Sequence, residues 1–119
     1  MADAAPVAAC DYVGAVPGND VPDKLRRAGF HTTKAGFVDA PLIDEPPMAL
    51  ECRLAGYDAA TGILTGEIVN VNAEERILGG AGRIDPGKLQ PIVFDPVNHA
   101  CLKPGGKVGG AFRDGLRLK

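Results

Sequence analysis

The sequence predicts a mainly β domain built from antiparallel strands and one or two short helices. Glycine and proline are frequent, at 16 and 10 of 119 residues, which favours turns over long helices. Apolar and charged residues alternate from Leu50 to Leu54, and the β-branched run Ile63 to Asn72 follows after a turn at 57–62. At this length, residues 1–119 are expected to form a single domain.

The first part of the chain is predicted to hold a short strand followed by a helix. Met1 to Ala9 is small, apolar and without pattern, so we expect it to be loosely held. Asp11 to Val16 is predicted as a strand that stops at the following Pro-Gly pair. The helix is predicted to begin near Asp20, a good capping residue, and to end at Gly29, a typical C-terminal stop.

The middle of the chain carries the clearest pattern. Prolines are expected to keep Phe30 to Pro47 extended. Met48 to Glu74 is predicted as one long hairpin, with Leu50, Cys52 and Leu54 forming the half-buried face of its first strand. Beyond the hairpin, weaker patterns predict one helical turn capped by Asp85 and short strands at 91–94 and 100–102.

The second strand of the hairpin leaves two interpretations open. A regular strand would continue the apolar face of Ile68 into Asn70 and Asn72. A β-bulge near Val69 would exchange the two faces of the strand, and we favour this interpretation. The alternative places one of the asparagines beside a bound polar ligand, because a buried amide needs hydrogen-bond partners.

Composition argues against several classes of function. The net charge is −2, with 13 basic and 15 acidic residues, so we expect no basic face that would bind nucleic acid. No stretch is long and apolar enough to suggest a membrane span. Three widely spaced cysteines are typical of reduced thiols, which favours a cytoplasmic location.

The sequence contains few motifs that indicate a metal site or a catalytic nucleophile. His31 and His99 lack the spacing of metal ligands, and the cysteines do not supply it either, so no metal site is predicted. A Gly-x-Ser-x-Gly nucleophile motif is absent from the sequence. We therefore assign no catalytic residue from the spacing of reactive side chains.

The order of several short motifs between Asp11 and Phe112 is more specific than any motif alone. They are Tyr12-Val13-Gly14, Asp23-Lys24, Ala28-Gly29-Phe30, Val38 to Ile43, Leu50 to Arg53, Gly66 to Val69 with Val71, Gly82 to Leu89 with Pro91, and Val108-Gly109 with Ala111-Phe112. This succession resembles the flavin reductase-like family of the flavoredoxin type, whose domain is an FMN-binding split β-barrel. The resemblance covers nearly all of this chain but only the later part of the family's domain. The expected fold is therefore an incomplete or divergent antiparallel split barrel that lacks the family's first strands.

The resemblance also implies a cofactor and three residues that contact it. Members of the family bind FMN non-covalently at a homodimer interface, and NAD(P)H delivers a hydride to this flavin. The resemblance does not identify the molecule that then accepts the electrons. Lys24 matches a lysine that contacts the flavin, and Asn72 stands where members commonly have a histidine near the flavin. Phe112 matches an aromatic residue that packs against the site.

Each of these assignments has a structural alternative. Lys24 is then a solvated helix residue, Asn72 an outward-facing strand residue after a bulge, and Phe112 an anchor of the core. For the whole chain, the alternative is a non-catalytic split-barrel remnant, or an interaction module that dimerises without a cofactor.

Overall fold

The structure, a computed structural model, describes residues 1–118. The elements in chain order are α1 (Val7–Ala15), α2 (Lys24–Arg27), β1 (Thr32–Lys34), β2 (Pro41–Ile43), β3 (Met48–Asp58), β4 (Ile63–Ala73), α3 (Pro86–Leu89), β5 (Val93–Asp95) and β6 (Ala100–Leu102), with 3₁₀ turns at Glu75–Ile77, Gly80–Gly82 and Asp114–Leu118. No helix in this part of the chain is long and apolar enough to cross a membrane.

The strands pair as three antiparallel hairpins, β1 with β2, β3 with β4, and β5 with β6. Residues 1–118 form no closed barrel, and their helices are few and short. The predicted mainly β class, with antiparallel strands, an incomplete barrel and few short helices, is thus confirmed. The long hairpin, the turn capped by Asp85 and the strand at Ala100–Leu102 also lie where the sequence predicts them, whereas the strand predicted at 91–94 is shifted to Val93–Asp95.

The predicted strand at Asp11 to Val16 is wrong, because Asp11 to Ala15 belong to helix α1. Three of the nine residues of α1 are alanine, which is the best helix former. The helix gives way to extended backbone at Val16, with φ −100° and ψ 120°, as expected for a residue that precedes proline. No residue of α1 is buried, so the helix lies on the surface.

Helix α2 is shorter than the sequence predicts. It begins after Asp23 and not at Asp20, and the Asp23 carboxylate forms ion pairs with Arg26 and Arg27. The predicted stop at Gly29 is confirmed, since Gly29 has φ +77° and the next amide, that of Phe30, donates to the Leu25 carbonyl at 2.9 Å.

The β3–β4 hairpin contains the predicted bulge. Glu51 is opposite Asn70, whereas the next residue, Cys52, is opposite Ile68, so Val69 has no partner in the ladder. A second irregularity lies between Leu54 and Gly56. The bulge interpretation of the strand phase is therefore confirmed.

The prediction of a half-buried face on β3 is wrong for this chain. Leu50, Cys52 and Leu54 are all exposed, whereas Glu51, which the alternation places on the outer face, is 2% exposed. The large apolar side chains exposed on the hairpin are Leu50, Leu54, Tyr57, Ile63, Leu64, Ile68 and Val71. The buried apolar residues lie outside the two hairpin strands, and they are Phe30, Ala35, Pro47, Ile77 and Leu89.

Candidate functional site

Three polar side chains of the β3–β4 hairpin, those of Glu51, Asn70 and Asn72, are joined by hydrogen bonds and are called the Glu51 cluster here. Oε1 of Glu51 accepts hydrogen bonds from Nδ2 of Asn70 and from Nδ2 of Asn72, each at 2.8 Å. Asn70 Nδ2 also donates to Oδ1 of Asn72 at 3.1 Å. The two amides and the carboxylate therefore form one network.

The bulge and a neighbouring loop explain why this cluster forms. With Val69 left out of the ladder, Glu51 and Asn70 lie directly opposite each other and so share one face of the hairpin. The loop between β1 and β2 covers that face, and the Phe37 amide donates to Oε2 of Glu51 at 2.7 Å. Both carboxylate oxygens are thereby satisfied although the side chain is buried.

Hydrogen bonds from Asn70 and Asn72, helped by the amides of Phe37 and Val38, hold the pKa of Glu51 below its ordinary value despite the opposing effect of burial. The group is therefore ionised at neutral pH and acts only as an acceptor. Its effect is to fix the orientation of the two asparagine amides.

A cavity of about 290 Å³ lies beside Asn72. Residues of β2, the start of β3 and the end of β4 line it, together with the neighbouring Pro47 and Glu74. This places Asn72 at the border between the Glu51 cluster and an open, partly apolar recess.

Lys24 has a defined structural role. Its Nζ donates to the carbonyl oxygens of Val13 at 2.7 Å and Val16 at 2.8 Å, at the C-terminal end of α1. A positive charge at this end also complements the helix dipole. The ammonium has three donors, so these two bonds leave one donor for a further acceptor.

Phe112 lies near the end of the described chain and is 97% exposed. Its backbone has φ +62°, a left-handed conformation that bulky residues rarely adopt. The alternative that Phe112 anchors the core is wrong, since its ring is in solvent.

The three residues assigned by resemblance stand apart in this chain. Across residues 1–118, no hydrogen bond or ion pair joins any two of Lys24, Asn72 and Phe112. No group of three His, Cys, Asp or Glu side chains in the same range could hold a metal ion.

Sequence reasoning missed Glu51, the residue that organises the cluster. The alternation of β3 places it among solvent-facing residues, and only the loop carrying Phe37 buries it. A usable signal is present, namely a carboxylate on one strand and two asparagines, two positions apart, on the facing strand.

The known proteins that resemble this chain are found among solved structures. No profile of a protein family matches the sequence, and no curated protein is significantly similar to it. Among solved structures, flavoredoxin of Desulfovibrio vulgaris (Miyazaki F) is 31% identical, with a TM-score of 0.88 over 97% of this chain and 62% of its own. The chain thus spans less than two thirds of the length of that relative.

Two further structures share the fold at lower identity. Nitrilotriacetate monooxygenase component B from Bacillus cereus has a TM-score of 0.69 at 22% identity, over 92% of this chain and 56% of its own. The FMN-binding domain of a flavin reductase-like enzyme from Shewanella baltica OS155 has a TM-score of 0.77 at 14% identity, over 92% and 60%. The expected resemblance is confirmed: over part of their length, this chain matches the flavin reductase-like, split-barrel proteins of the flavoredoxin type.

Proposed function

We propose that this chain is a flavin reductase-like protein that binds FMN non-covalently between two subunits. The observation that carries the proposal is the 31% identity with flavoredoxin across 97% of the chain, together with a TM-score of 0.88. The FMN-binding domain from Shewanella baltica supports the same cofactor through its fold. Bound FMN would supply the redox chemistry, in which it accepts a hydride from NAD(P)H. The proposal also includes a cytoplasmic location for the protein.

The residues present fit such a cofactor in part. Lys24 keeps one N–H donor beyond its bonds to Val13 and Val16, and a fixed ammonium suits an anionic group. Phe112 offers an exposed aromatic ring for packing. Asn72, in contrast, already uses its amide on Glu51 and Asn70, so any contact with flavin has to share those bonds.

A second subunit accounts for the separation of these residues. The cavity beside Asn72, at about 290 Å³, lies just below the range of roughly 300–1,000 Å³ that is typical of small-molecule pockets. The hairpin exposes a series of apolar side chains, among them Leu54 (64%) and Ile68 (57%). Exposed apolar patches of this kind favour an interface, and an interface would bring surfaces of two chains around one cofactor.

The test is a titration of the purified protein with FMN, followed by quenching of flavin fluorescence. We expect saturable binding at micromolar concentrations, weakened by Lys24→Met and by Phe112→Ala. Lys103→Met is the matched control and is expected to leave the affinity unchanged. A folded protein that does not bind FMN at micromolar concentrations would contradict the proposal, and consumption of NAD(P)H with added FMN tests the hydride step separately.

The second candidate function is a dimerising interaction module without a cofactor. The polar groups of Asn72 and two donors of Lys24 are already engaged within the chain, and this observation favours it. Light scattering distinguishes the two functions, because the module predicts a dimer that forms without binding FMN. Leu54→Glu is expected to lower the dimer fraction, whereas Val97→Glu, at a turn residue that is 85% exposed, is the control.

A further inference from the structure

A second recess, larger than the one beside Asn72, lies between α1 and the β5–β6 hairpin. It has a volume of about 540 Å³ and is lined mainly by apolar groups, including Val7, Ile92 and Phe94. Two of the three cysteines of the chain, Cys10 of α1 and Cys101 of β6, line the same cavity. A pair of thiols therefore faces one apolar space from two different elements.

The N-terminal segment holds these two elements side by side. Asp3 pairs with Pro91 in an isolated antiparallel bridge, and the Ile92 amide donates to the Ala2 carbonyl at 3.2 Å. Both contacts lie between the residues that lead into α1 and those that lead into β5. They keep Cys10 near Cys101 although 91 positions separate the two residues in the sequence.

The electrostatics of the thiols agree with this proximity. Burial raises the pKa of Cys10, and the negative charges of Asp3 and of the Cys101 thiolate raise it further. Cys10 is half-buried and Cys101 is exposed, so a reagent in solvent reaches Cys101 first.

We propose that Cys10 and Cys101 are a redox-responsive dithiol, which a small disulfide such as oxidised glutathione converts into an intramolecular disulfide across the cavity. A disulfide needs Cα atoms roughly 4.4–6.8 Å apart, and any adjustment that this requires falls on α1 and β6, which carry the two cysteines. None of the α1 residues is buried, and a small displacement of the helix therefore exposes no core residue. The proposal is independent of flavin binding.

The reaction proceeds by two thiol–disulfide exchanges. The Cys101 thiolate attacks one sulfur of oxidised glutathione, its S–S bond breaks, and one glutathione leaves and takes up a proton. Cys10 then loses its proton and attacks the Cys101 sulfur of the mixed disulfide, and the second glutathione leaves. The protein loses two hydrogen atoms, and one oxidised glutathione becomes two reduced glutathione molecules.

The test is treatment of the folded protein with oxidised glutathione, followed by alkylation and peptide mapping without reduction. We expect the number of alkylated cysteines to fall from three to one, with Cys52 remaining reactive. Trypsin should release peptide 1–24 linked to peptide 89–107. The melting temperature of the oxidised monomer should rise by several degrees, because the link constrains the unfolded chain.

Single substitutions make the result specific. Cys52→Ser is the matched control and should retain the linked peptide and the increase in melting temperature. Cys10→Ser should instead accumulate a glutathione adduct on Cys101, because the resolving thiol is missing. A stable glutathione adduct on Cys101 of the unsubstituted protein, or a link that contains Cys52, would overturn the proposal.

Discussion

Nδ2 of Asn72 donates a 2.8 Å hydrogen bond to Oε1 of Glu51 on the opposite strand, and this bond orients the amide before any ligand arrives. The residue that the family resemblance assigns to the cofactor is therefore held by a buried carboxylate. Any ligand near Asn72 meets an amide of fixed direction, whose carbonyl oxygen already accepts from Asn70.

We predict that Glu51→Gln lowers the melting temperature by several degrees. Glutamine keeps the shape of the side chain, but its NH₂ group cannot accept a hydrogen bond. At least one of the donors Asn70, Asn72 and Phe37 therefore loses its acceptor. Thermal unfolding followed by circular dichroism measures the change. Glu67→Gln is the control, because Glu67 is exposed and its ion pair with Arg53 lies at the surface. Equal effects of the two substitutions would rule out a special role for the Glu51 cluster.

Stability should fall as the pH is lowered below about 5, near the ordinary pKa range of carboxyl groups. The pKa values of Glu51, Glu45, Asp58 and Asp95 are lowered, chiefly by hydrogen bonds from Asn70, His31, Thr61 and Asn98 respectively. A carboxyl group with a lower pKa in the folded state stabilises that state above its unfolded pKa, and this contribution is lost as the pH falls through its folded pKa. Urea midpoints measured against pH test this expectation, and Glu51→Gln should flatten the curve. A curve of unchanged slope in that variant would exclude Glu51 as a contributor.

Lys24→Met is expected to reduce the free energy of unfolding by about 1.5–3 kcal/mol, the range for hydrogen bonds that involve a charged group. Methionine keeps the apolar stem but leaves the carbonyls of Val13 and Val16 without the ammonium. Urea denaturation measures the loss, and Lys103→Met serves as the reference. If stability is unchanged while FMN affinity falls, Lys24 contacts the cofactor and does not support α1.

Two glycines of the β3–β4 hairpin, Gly56 and Gly62, should respond in opposite directions to alanine. Gly62 has φ +72°, so Gly62→Ala forces a left-handed conformation on a residue with a Cβ and should cost about 1–2 kcal/mol. Gly56 has an ordinary φ and open space where a Cβ would lie, so Gly56→Ala should be neutral or stabilise by up to about 1 kcal/mol. Chemical denaturation of both variants provides the comparison, and a larger loss at Gly56 would contradict the described turn.

The features that the sequence predicts correctly are the ones determined by neighbouring residues. The hairpin follows from alternation around one turn, and the bulge at Val69 follows from a change of phase within β4. Asp85 caps its helical turn by accepting from the Gly87 amide, which is a contact across two positions. Such signals need no knowledge of the rest of the chain.

The features that it misses depend on distant segments or on weak local preferences. The second half of helix α1 is wrongly predicted as a strand because a short apolar run is compatible with both structures. The burial of Glu51 requires the loop of Phe37, and the bonds of Lys24 require the end of α1 at Val16. The exposed face of Leu50 and Leu54 reflects the lack of any layer over it among residues 1–118.

The bulge at Val69 has a further consequence for how this sequence can change. Substituting Val69 alters one partly exposed side chain, and deleting it would close the ladder with Asn70 still opposite Glu51 and Cys52 still opposite Ile68. The Glu51 cluster therefore does not depend on Val69 itself. Deleting a paired residue such as Val71 would instead move Asn72 to the other face of β4, so this hairpin should tolerate a deletion at the bulge but not one beside it.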